Sequence, residues 1–342
     1  MDSKRTEIKD LGEFGLIERL TKSFVNKQKS THKGIGDDAA VIDSGEKFQV
    51  VTSDLLTEGI HFDLTYMPLI HLGYKSIVVN VSDVAAMNAK PTQVIVSIGI
   101  SNRFSVEAVE EIYSGIAAAC DQYNVDLVGG DTTSSASGLI ISVTALGEVD
   151  KKQIAYRDGA KENDVVCVTG DLGAAYTGLQ VLNREKAEFL SNPDMQPKLN
   201  NYEYIVQRQL KPDARTDIMF ELKELNLVPT AMIDISDGLA SELFHICKSS
   251  KVGVNIFEDK LPLDRRTQEA AVEFNIDPVT CMLNGGEDYE LLFTIAQDDF
   301  KKIENHADIH FIGYITDESK GLNLVTKQEN VVPLQAQGWE HF

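Results

Sequence analysis

The pattern of apolar and polar positions along the chain predicts a succession of helices and strands. Apolar residues recur at helical spacing in residues 12–25, 68–89 and 106–123, so we predict helices there, the first of them amphipathic. Short apolar runs predict strands at residues 48–54, 94–100, 126–131, 139–149, 165–171, 231–238, 252–257, 289–296 and 310–316, with the run at 231–238 leading into a turn. The sequence therefore favours a mixed α/β (α+β) fold, although no series of βαβ units is regular enough to indicate a Rossmann sheet.

A polar and strongly charged stretch at residues 150–162 marks a predicted domain boundary. At 342 residues the chain is long for a single core and of ordinary length for two domains. We therefore expect one domain in residues 1–150 and a second in residues 151–342. Residues 185–212 are polar and contain three prolines, and we interpret them as a surface excursion with some helix that carries no information about the chemistry.

Composition narrows the class of protein. An apolar content of 43% with 25% charged residues is ordinary for a globular protein. No apolar run approaches the ~18 residues of a membrane span, and no hydrophobic signal core follows the N-terminus, so we expect a cytoplasmic protein without a membrane partner. A net charge of −21 argues against a nucleic-acid partner, since phosphate binding needs a basic face. The four cysteines are widely spaced without a Cys-x-x-Cys pair, which predicts buried thiols rather than disulfides or zinc ligands.

Aspartates recur at one kind of place in the sequence, directly after short apolar runs. Any one of them, taken alone, is better explained as a helix cap or a loop acid. Their repetition indicates that they converge, because the binding crevice of an α/β fold opens at the ends of its strands. These aspartates are Asp37, Asp38, Asp54, Asp131, Asp234 and Asp237, and Asp83 joins them from a helix face three residues after Asn80.

Seven converging carboxylates need cations to neutralise them. Two unit charges at ~4 Å repel by about 4 kcal/mol at an effective dielectric constant of 20. Oxygen-only ligands without histidine or cysteine favour Mg²⁺, which usually arrives with substrate phosphates. The glycine pairs at 129–130 and 285–286 would let backbone amides reach phosphate oxygens.

The known phosphate-binding signatures are absent from this sequence, so they do not identify the reaction. The sequence has neither a Walker A motif nor the protein-kinase signatures, so phosphoryl transfer would depend on metals and on a few basic side chains such as Arg157. Nucleotide use does not follow from these residues alone. A metal-dependent phosphatase would have a similar sequence.

Taken together, these segments resemble the thiamine-monophosphate kinase family, within the aminoimidazole-ribonucleotide-synthetase-like superfamily. The resemblance runs in order from about residue 12 to the C-terminus. Its specific stretches include Gly34-Ile35-Gly36-Asp37-Asp38, Thr52-Ser53-Asp54, Asn80-Val81-Ser82-Asp83, Gly129-Gly130-Asp131, Asp234-Ile235-Ser236-Asp237-Gly238, Gly285-Gly286-Glu287-Asp288-Tyr289 and the tail Trp339-Glu340-His341-Phe342.

The resemblance implies a reaction and an architecture. The family transfers the γ-phosphate of ATP directly, in line, to thiamine monophosphate, giving thiamine diphosphate and ADP with the help of several Mg²⁺ ions. The implied fold has an N-terminal α/β domain that holds the Mg²⁺ and ATP site and forms a homodimer through its sheet. A C-terminal α/β domain covers the active cleft and completes the metal and substrate site.

The resemblance also implies roles for individual residues. The expected Mg²⁺ ligands are Asp38, Thr52, Ser53, Asp54, Asp83, Asp131, Asp234 and Asp237, of which Asp54, Asp83, Asp131 and Asp234 are expected to be catalytic. The expected ATP contacts are Tyr113, Gly130, Asp131, Arg157 and Ser236. The expected thiamine monophosphate contacts are His61, Glu287 and Trp339.

Several alternative functions stay open at this point. A Mg²⁺-dependent phosphatase, a nucleotide-binding regulator without turnover and another ATP-using superfamily member share the acidic pattern. Within the superfamily, selenophosphate synthetase would require a reactive cysteine in an N-terminal Gly-rich segment, whereas the first cysteine here is Cys120. The hydrogenase-maturation dehydratase would end in a cysteine, whereas this chain ends in Trp-Glu-His-Phe.

Overall fold

The first half of the chain forms a six-stranded sheet covered by helices on one face. The computed structural model describes residues 8 and 11–336. The strands are β1 (Thr31–Lys33), β2 (Ala40–Asp43), β3 (Lys47–Thr57), β4 (Lys90–Ile100), β5 (Asp126–Ser134) and β6 (Ile140–Asp150), and the helices are α1 (Gly12–Thr21), α2 (Leu69–Ala86) and α3 (Val106–Tyr123). The strand order is β1-β2-β3-β6-β4-β5, with β4 and β5 parallel and the other neighbours antiparallel.

Helix α2 is the central element of this half. Its residues are apolar on nearly all sides, and it lies buried between the sheet and α3. The two helices cross at glycines: a Cβ atom on Gly73 would lie 1.9 Å from the carbonyl oxygen of Ile112, and one on Gly115 would lie 1.8 Å from that of Ile70. Because only glycine permits this backbone approach, the crossing fixes the position of α2.

The second half forms a seven-stranded sheet. Its strands are β7 (Val165–Thr169), β8 (Ala231–Asp234), β9 (Val252–Phe257), β10 (Leu291–Ile295), β11 (Ile309–Asp317), β12 (Leu322–Val325) and β13 (Val331–Pro333), in the order β13-β12-β9-β11-β7-β10-β8. The pair β12–β9 is parallel, and the other neighbours are antiparallel. The helices are α4 (Ala174–Ser191), α5 (Glu203–Leu210), α6 (Thr216–Glu224), α7 (Leu239–Ser250), α8 (Arg265–Glu273) and α9 (Pro278–Asn284).

The interpretation of residues 185–212 as a surface excursion is wrong for helix α5. This helix buries Ile205, Val206 and Gln209 and packs closely on α4, where a Cβ atom on Gly178 would lie 2.0 Å from the carbonyl oxygen of Ile205. Its apolar residues also join the core cluster of the first half. Helix α5 therefore ties the two halves together.

The other sequence predictions of elements agree with the structure to within a few residues at their ends. The mixed α/β fold is confirmed, and the predicted helix at 106–123 coincides with α3. Helix α1 ends at Thr21, earlier than predicted, and buries none of its residues. All four cysteines are free and buried, as expected. Among the described residues, no helix has both the length and the apolarity that a membrane crossing requires.

Candidate active site

A cleft of about 830 Å³ lies between the two halves of the chain. Strand β3 and helix α2 of the first half provide Thr52, Asp54, Val79 and Asp83. The second half provides the turn after β8 and the segment before β10, together with one face of α4. A ligand in this cleft would therefore contact both halves.

Three aspartates converge in the cleft. Asp38 follows the Gly34–Gly36 turn, Asp83 lies near the end of α2, and Asp234 is the last residue of β8. One carboxylate oxygen of each lies within 4.8 Å of the others. Oxygen atoms at this spacing form a donor set suited to a hard divalent cation.

Hydrogen bonds hold these carboxylates in place. The Thr52 hydroxyl donates to Asp83 Oδ2 over 2.6 Å, and the Ser82 hydroxyl donates to Asp234 Oδ2 over 2.6 Å. Asn80 Oδ1 accepts a hydrogen bond from the backbone N–H of Asp54 over 3.0 Å, which fixes β3 against α2. The face of α2 predicted to carry Asn80 and Asp83 thus faces β3, and both residues contribute to the site.

Burial and mutual repulsion disfavour the charged forms of these acids. Burial raises the pKa of Asp54 to about 6 and that of Asp234 to about 7. Burial also raises the pKa of Asp83 well above its usual range, and the neighbouring Asp54, Asp234 and Asp38 carboxylates raise it further. Without a cation, the cluster is therefore a source of instability.

Arg157 is the basic group beside the cluster. Its Nη2 donates to Asp38 Oδ1 over 2.6 Å, and its backbone N–H donates to Asp37 over 3.2 Å. Arg157 Nε and Asp38 Oδ2 are buried without a hydrogen-bond partner among the described residues. Because buried polar atoms are normally paired, this donor and this acceptor are available to a ligand.

The turn after β8 and the segment before β10 meet at the other side of the cleft. The backbone N–H of Glu287 donates to the carbonyl oxygen of Ser236 over 2.7 Å. A Cβ atom on Gly286 would lie 2.5 Å from that same oxygen, so the close approach requires glycine at this position. The Glu287 side chain is thereby directed toward the cleft.

Most of the residues singled out from the sequence come together here. The cleft is lined by Asp38, Thr52, Asp54, His61, Asp83, Arg157, Asp234, Ser236, Asp237 and Glu287. Trp339 lies outside the described residues.

Four predicted site residues lie elsewhere in the single chain. Ser53 is on the opposite face of β3 from Thr52, and its hydroxyl donates to the carbonyl oxygen of Val143 over 3.1 Å. Asp131 pairs with Ser97 in the ladder between β5 and β4, away from the helices. Gly130 is in the same exposed strand, and Tyr113 packs against the core from α3. Their expected roles stay predictions.

The structure offers a packing reason for Gly130. A Cβ atom there would lie 1.9 Å from the carbonyl oxygen of Val96, so the pairing of β5 with β4 requires glycine. The amide–phosphate contact expected from the sequence is therefore not needed to explain this residue.

Sequence reasoning missed several residues of the cleft. Gln209 lies in residues 185–212, whose sequence carries no information about the chemistry, yet it lines the cleft from α5. Lys75 is buried beneath Glu287 on the same helix as Asp83. A signal for Lys75 existed, since a lysine in an otherwise apolar helix, eight residues before Asp83, indicates a buried ionic partner. No comparable signal marks Gln209.

Two family models match the chain. The AIR synthase related protein N-terminal domain matches residues 36–149, and the AIR synthase related protein C-terminal domain matches residues 161–323. Together the two models cover most of the chain.

Curated relatives match over nearly the full length. A thiamine-monophosphate kinase from Bacillus subtilis is 32% identical over 343 residues, covering 97% of this chain and 100% of the relative. A thiamine-monophosphate kinase from Aquifex aeolicus is 34% identical over 336 residues, covering 98% of this chain and 99% of the relative. A solved structure described as AaThiL complexed with AMPPCP and TMP superposes with a TM-score of 0.84 at 32% identity, covering 99% of this chain and 100% of that chain.

Proposed function

The chain belongs to the thiamine-monophosphate kinase family of AIR synthase related proteins, and we propose that it transfers the γ-phosphate of ATP to thiamine monophosphate, giving thiamine diphosphate and ADP. The observation that carries the proposal is the convergence of Asp38, Asp83 and Asp234 beside Arg157 in the cleft between the two halves. Such a site combines carboxylate ligands for a cation with a guanidinium group that can donate hydrogen bonds to phosphate. A reaction between two phosphorylated substrates requires both.

We propose Mg²⁺ as the cation of this cluster. The donors fit it, because they are carboxylate oxygens and one of them, Asp38 Oδ2, is buried without a partner among the described residues. Asp54, Thr52 and Asp237 line the same cleft and are proposed as further ligands. When bound, Mg²⁺ neutralises phosphate charge and holds the transferring group between donor and acceptor.

The residues of the chain then have separate tasks. Arg157 offers a partly buried guanidinium to the ATP phosphates, while its bond to Asp38 keeps it beside the cluster. Ser236 follows β8 at the point where Asp234 reaches the cluster, and it is proposed to contact ATP. No general base is required, because the acceptor is a phosphate oxygen that is largely ionised near neutral pH.

One assay tests the proposed reaction. The protein is incubated with ATP, MgCl₂ and thiamine monophosphate, and thiamine diphosphate, ADP and inorganic phosphate are all measured. Formation of thiamine diphosphate in step with ADP supports the kinase. Release of inorganic phosphate without thiamine diphosphate would instead establish a phosphatase, and the absence of any turnover would refute the proposed reaction.

We also propose that the chain forms a homodimer through its first sheet. All of β5 is exposed, and among the described strands it pairs only with β4, which leaves one edge open. The exposed apolar side chains Leu127 and Val128 lie on this strand, and Ile95 lies on its neighbour. An open edge with exposed apolar residues favours pairing with another copy. A second copy there would also cover Asp131, which lies on the same strand.

A substitution that introduces a charged side chain on β5 tests the dimer. Val128→Glu should shift the mass in light scattering toward one chain, because a buried carboxylate at the interface is costly. Val272→Glu is the matched control, since Val272 is similarly exposed and lies on helix α8 of the second half, outside the first sheet. A wild-type mass of one chain would rule out the dimer. The cytoplasmic location stays a prediction.

A further inference from the structure

Lys75 is a buried cation at the end of the cleft away from the acidic cluster. It is 1% exposed and is among the largest fully buried side chains of the described residues. Its Nζ lies 2.7 Å from Glu287 Oε1 and donates to the carbonyl oxygen of Gln209 over 3.1 Å. Because a buried lysine is costly unless it is paired, the contacts with Glu287 and with the Gln209 carbonyl oxygen stabilise Lys75 in this position.

The placement of Lys75 on α2 relates it to the metal end of the cleft. Lys75, Val79 and Asp83 are spaced four residues apart, so they share one face of the helix. With a rise of about 1.5 Å per residue, Lys75 and Asp83 are separated by about 12 Å along the axis. This span is of the same order as the length of thiamine monophosphate. A phosphate held at the cluster would therefore leave the other end of the molecule near Glu287.

Gln209 completes the surroundings of Glu287. Its Nε2 donates to Glu287 Oε2, and because a carboxylate only accepts, this bond fixes which way the amide is turned. Gln209 Oε1 is then directed away from the carboxylate, and it is buried without a hydrogen-bond partner among the described residues. Gln209 is 4% exposed and lines the cleft, so this oxygen is an acceptor available to a ligand.

We propose that Lys75 and Gln209 make Glu287 a specific acceptor for the amino-pyrimidine end of thiamine monophosphate. Lys75 is a positioning residue, since it acts through Glu287 and lies beneath it. Gln209 both positions Glu287 and presents Oε1 to the ligand. This proposal rests on the proposed function and adds the groups that recognise the organic part of thiamine monophosphate.

The chemistry follows from what each group can donate or accept. The pyrimidine of thiamine carries an exocyclic amino group, which is a donor. Glu287 Oε1, Oε2 and Gln209 Oε1 are acceptors, and the Glu287 side chain is still 28% exposed toward the cleft. Lys75 balances the carboxylate charge, so Glu287 is not left as an unpaired charge in its partly buried position. Removing Lys75 leaves that carboxylate unbalanced and free to turn away.

A double-mutant cycle tests the role of Lys75. The variants are Lys75→Met, Glu287→Gln and the two combined, and each is assayed for the KM of thiamine monophosphate and of ATP. Breaking one partner of a buried charge pair should raise the KM of thiamine monophosphate about 30-fold or more, with that of ATP nearly unchanged. The combined variant should be no worse than Glu287→Gln alone, because Lys75 acts only through Glu287.

Other outcomes overturn the proposal. Losses that add in the combined variant, or an equal loss for ATP, would make Lys75 a structural residue with no selective role. Lys47→Met is the matched control, since Lys47 pairs with Glu148 over 2.9 Å on the exposed surface, and it should leave both KM values unchanged. Wild-type protein without thiamine diphosphate formation would instead refute the proposed function itself.

Gln209→Leu provides an independent test if Lys75→Met does not fold. It removes the acceptor and the bond to Glu287 without burying an unpaired charge. Calorimetry should show weaker binding of thiamine monophosphate and unchanged binding of inorganic phosphate, because the phosphate end is untouched. Equal binding of thiamine monophosphate by wild type and this variant would overturn the role of Gln209.

Discussion

At the scale of single residues, Asp83 is both held in place and repelled. The Thr52 hydroxyl bonds to it, while the carboxylates of Asp54, Asp234 and Asp38 raise its pKa in addition to burial. The same residue therefore destabilises the cation-free fold and serves the reaction. Stability and activity should respond to its removal in opposite directions.

Asp83→Asn separates the two effects. The variant keeps the shape and can still bond to Thr52, so turnover should fall by about 10²–10³-fold, the usual cost of one lost electrostatic contact at a transferring group. Thermal unfolding in excess chelator should shift upward, because one repelling charge is gone. Turnover within a few-fold of wild type would remove Asp83 from the site, and a lower melting temperature in chelator would refute the repulsion.

His245 on α7 gives a residue-scale pH dependence. Burial, and then the nearby Arg157 charge, lowers the pKa of His245 to about 4. The unfolded chain binds this proton more readily, so the contribution of His245 is fully present above its ordinary pKa of about 6.5 and is lost as the pH falls toward 4. Its ring packs on Phe14 at a centroid distance of 4.3 Å.

His245→Phe keeps an aromatic ring against Phe14 and removes the titration. Urea unfolding midpoints measured from pH 7.5 to pH 4.5 should therefore fall less for this variant than for wild type. For each protein, the change in the unfolding midpoint between the two pH values is calculated, and these changes are compared. This cancels any packing effect of the substitution that is the same at both pH values. Parallel pH profiles would mean that His245 is not buried in its neutral form.

The residues that the sequence identified share one property. Asp38, Asp83 and Asp234 belong to short motifs in which an acid follows glycine, a strand or a helix face, so local sequence marks them. Gln209 and Lys75 take their roles from contacts across about 80 to 210 residues of sequence, as in the bond between Lys75 and Glu287. Local pattern carries no information on such contacts, and only packing creates them.

At the scale of elements, α2 determines the floor of the cleft. One of its faces carries Lys75, Val79 and Asp83. The helix also packs against α3 at the glycine crossing. A displacement of this helix would move Asp83 of the acidic cluster and Lys75, the partner of Glu287, together. The crossing glycines therefore act on the site without touching it.

Gly115→Ala tests this dependence. The new Cβ atom would lie 1.8 Å from the carbonyl oxygen of Ile70, so α3 must shift against α2, and the free energy of unfolding should fall by about 1–3 kcal/mol. Gly15→Ala in α1 is the control, because its Cβ atom would meet only Leu11 Cβ at 3.5 Å. Denaturant unfolding of both variants measures the difference. Equal stability of the two would show that the helices can separate at no cost.

The elements were predictable where local pattern and packing agree. Ser105 caps the N-terminus of α3, where its hydroxyl oxygen accepts a hydrogen bond from the Ala108 N–H, and Asn124 caps the C-terminus in the left-handed region, so the bounds of α3 are present in the sequence. Helix α5 is short and polar apart from the few residues that it buries, so its periodicity is weak over eight residues. Its burial depends on α4 and on the core of the first half, which no local signal contains.

At the scale of the whole molecule, the cleft exists only when both halves are folded together. Asp38 and Asp83 come from the first half and Asp234 comes from the second, yet their carboxylate oxygens lie within 4.8 Å of one another. The sequence predicted that such acids converge, because cations could neutralise them. It could not give the pairing of the halves, which depends on side-chain packing along α5 and on the bond from Ser82 to Asp234.

A cation in this cluster should therefore stabilise the assembly of the two halves. Binding to the folded chain alone adds about 2.7 kcal/mol at a concentration 100 times the dissociation constant. We expect the melting temperature to rise between excess chelator and millimolar MgCl₂, with NaCl added to match the ionic strength. The same titration on Asp234→Asn, which removes the ligand from the second half, should give a smaller rise, whereas Asp298→Asn, on the half-exposed 3₁₀ segment before β11, should match wild type. An unchanged melting temperature in wild type would mean that the three carboxylates do not bind Mg²⁺, since relief of their repulsion must appear as stability.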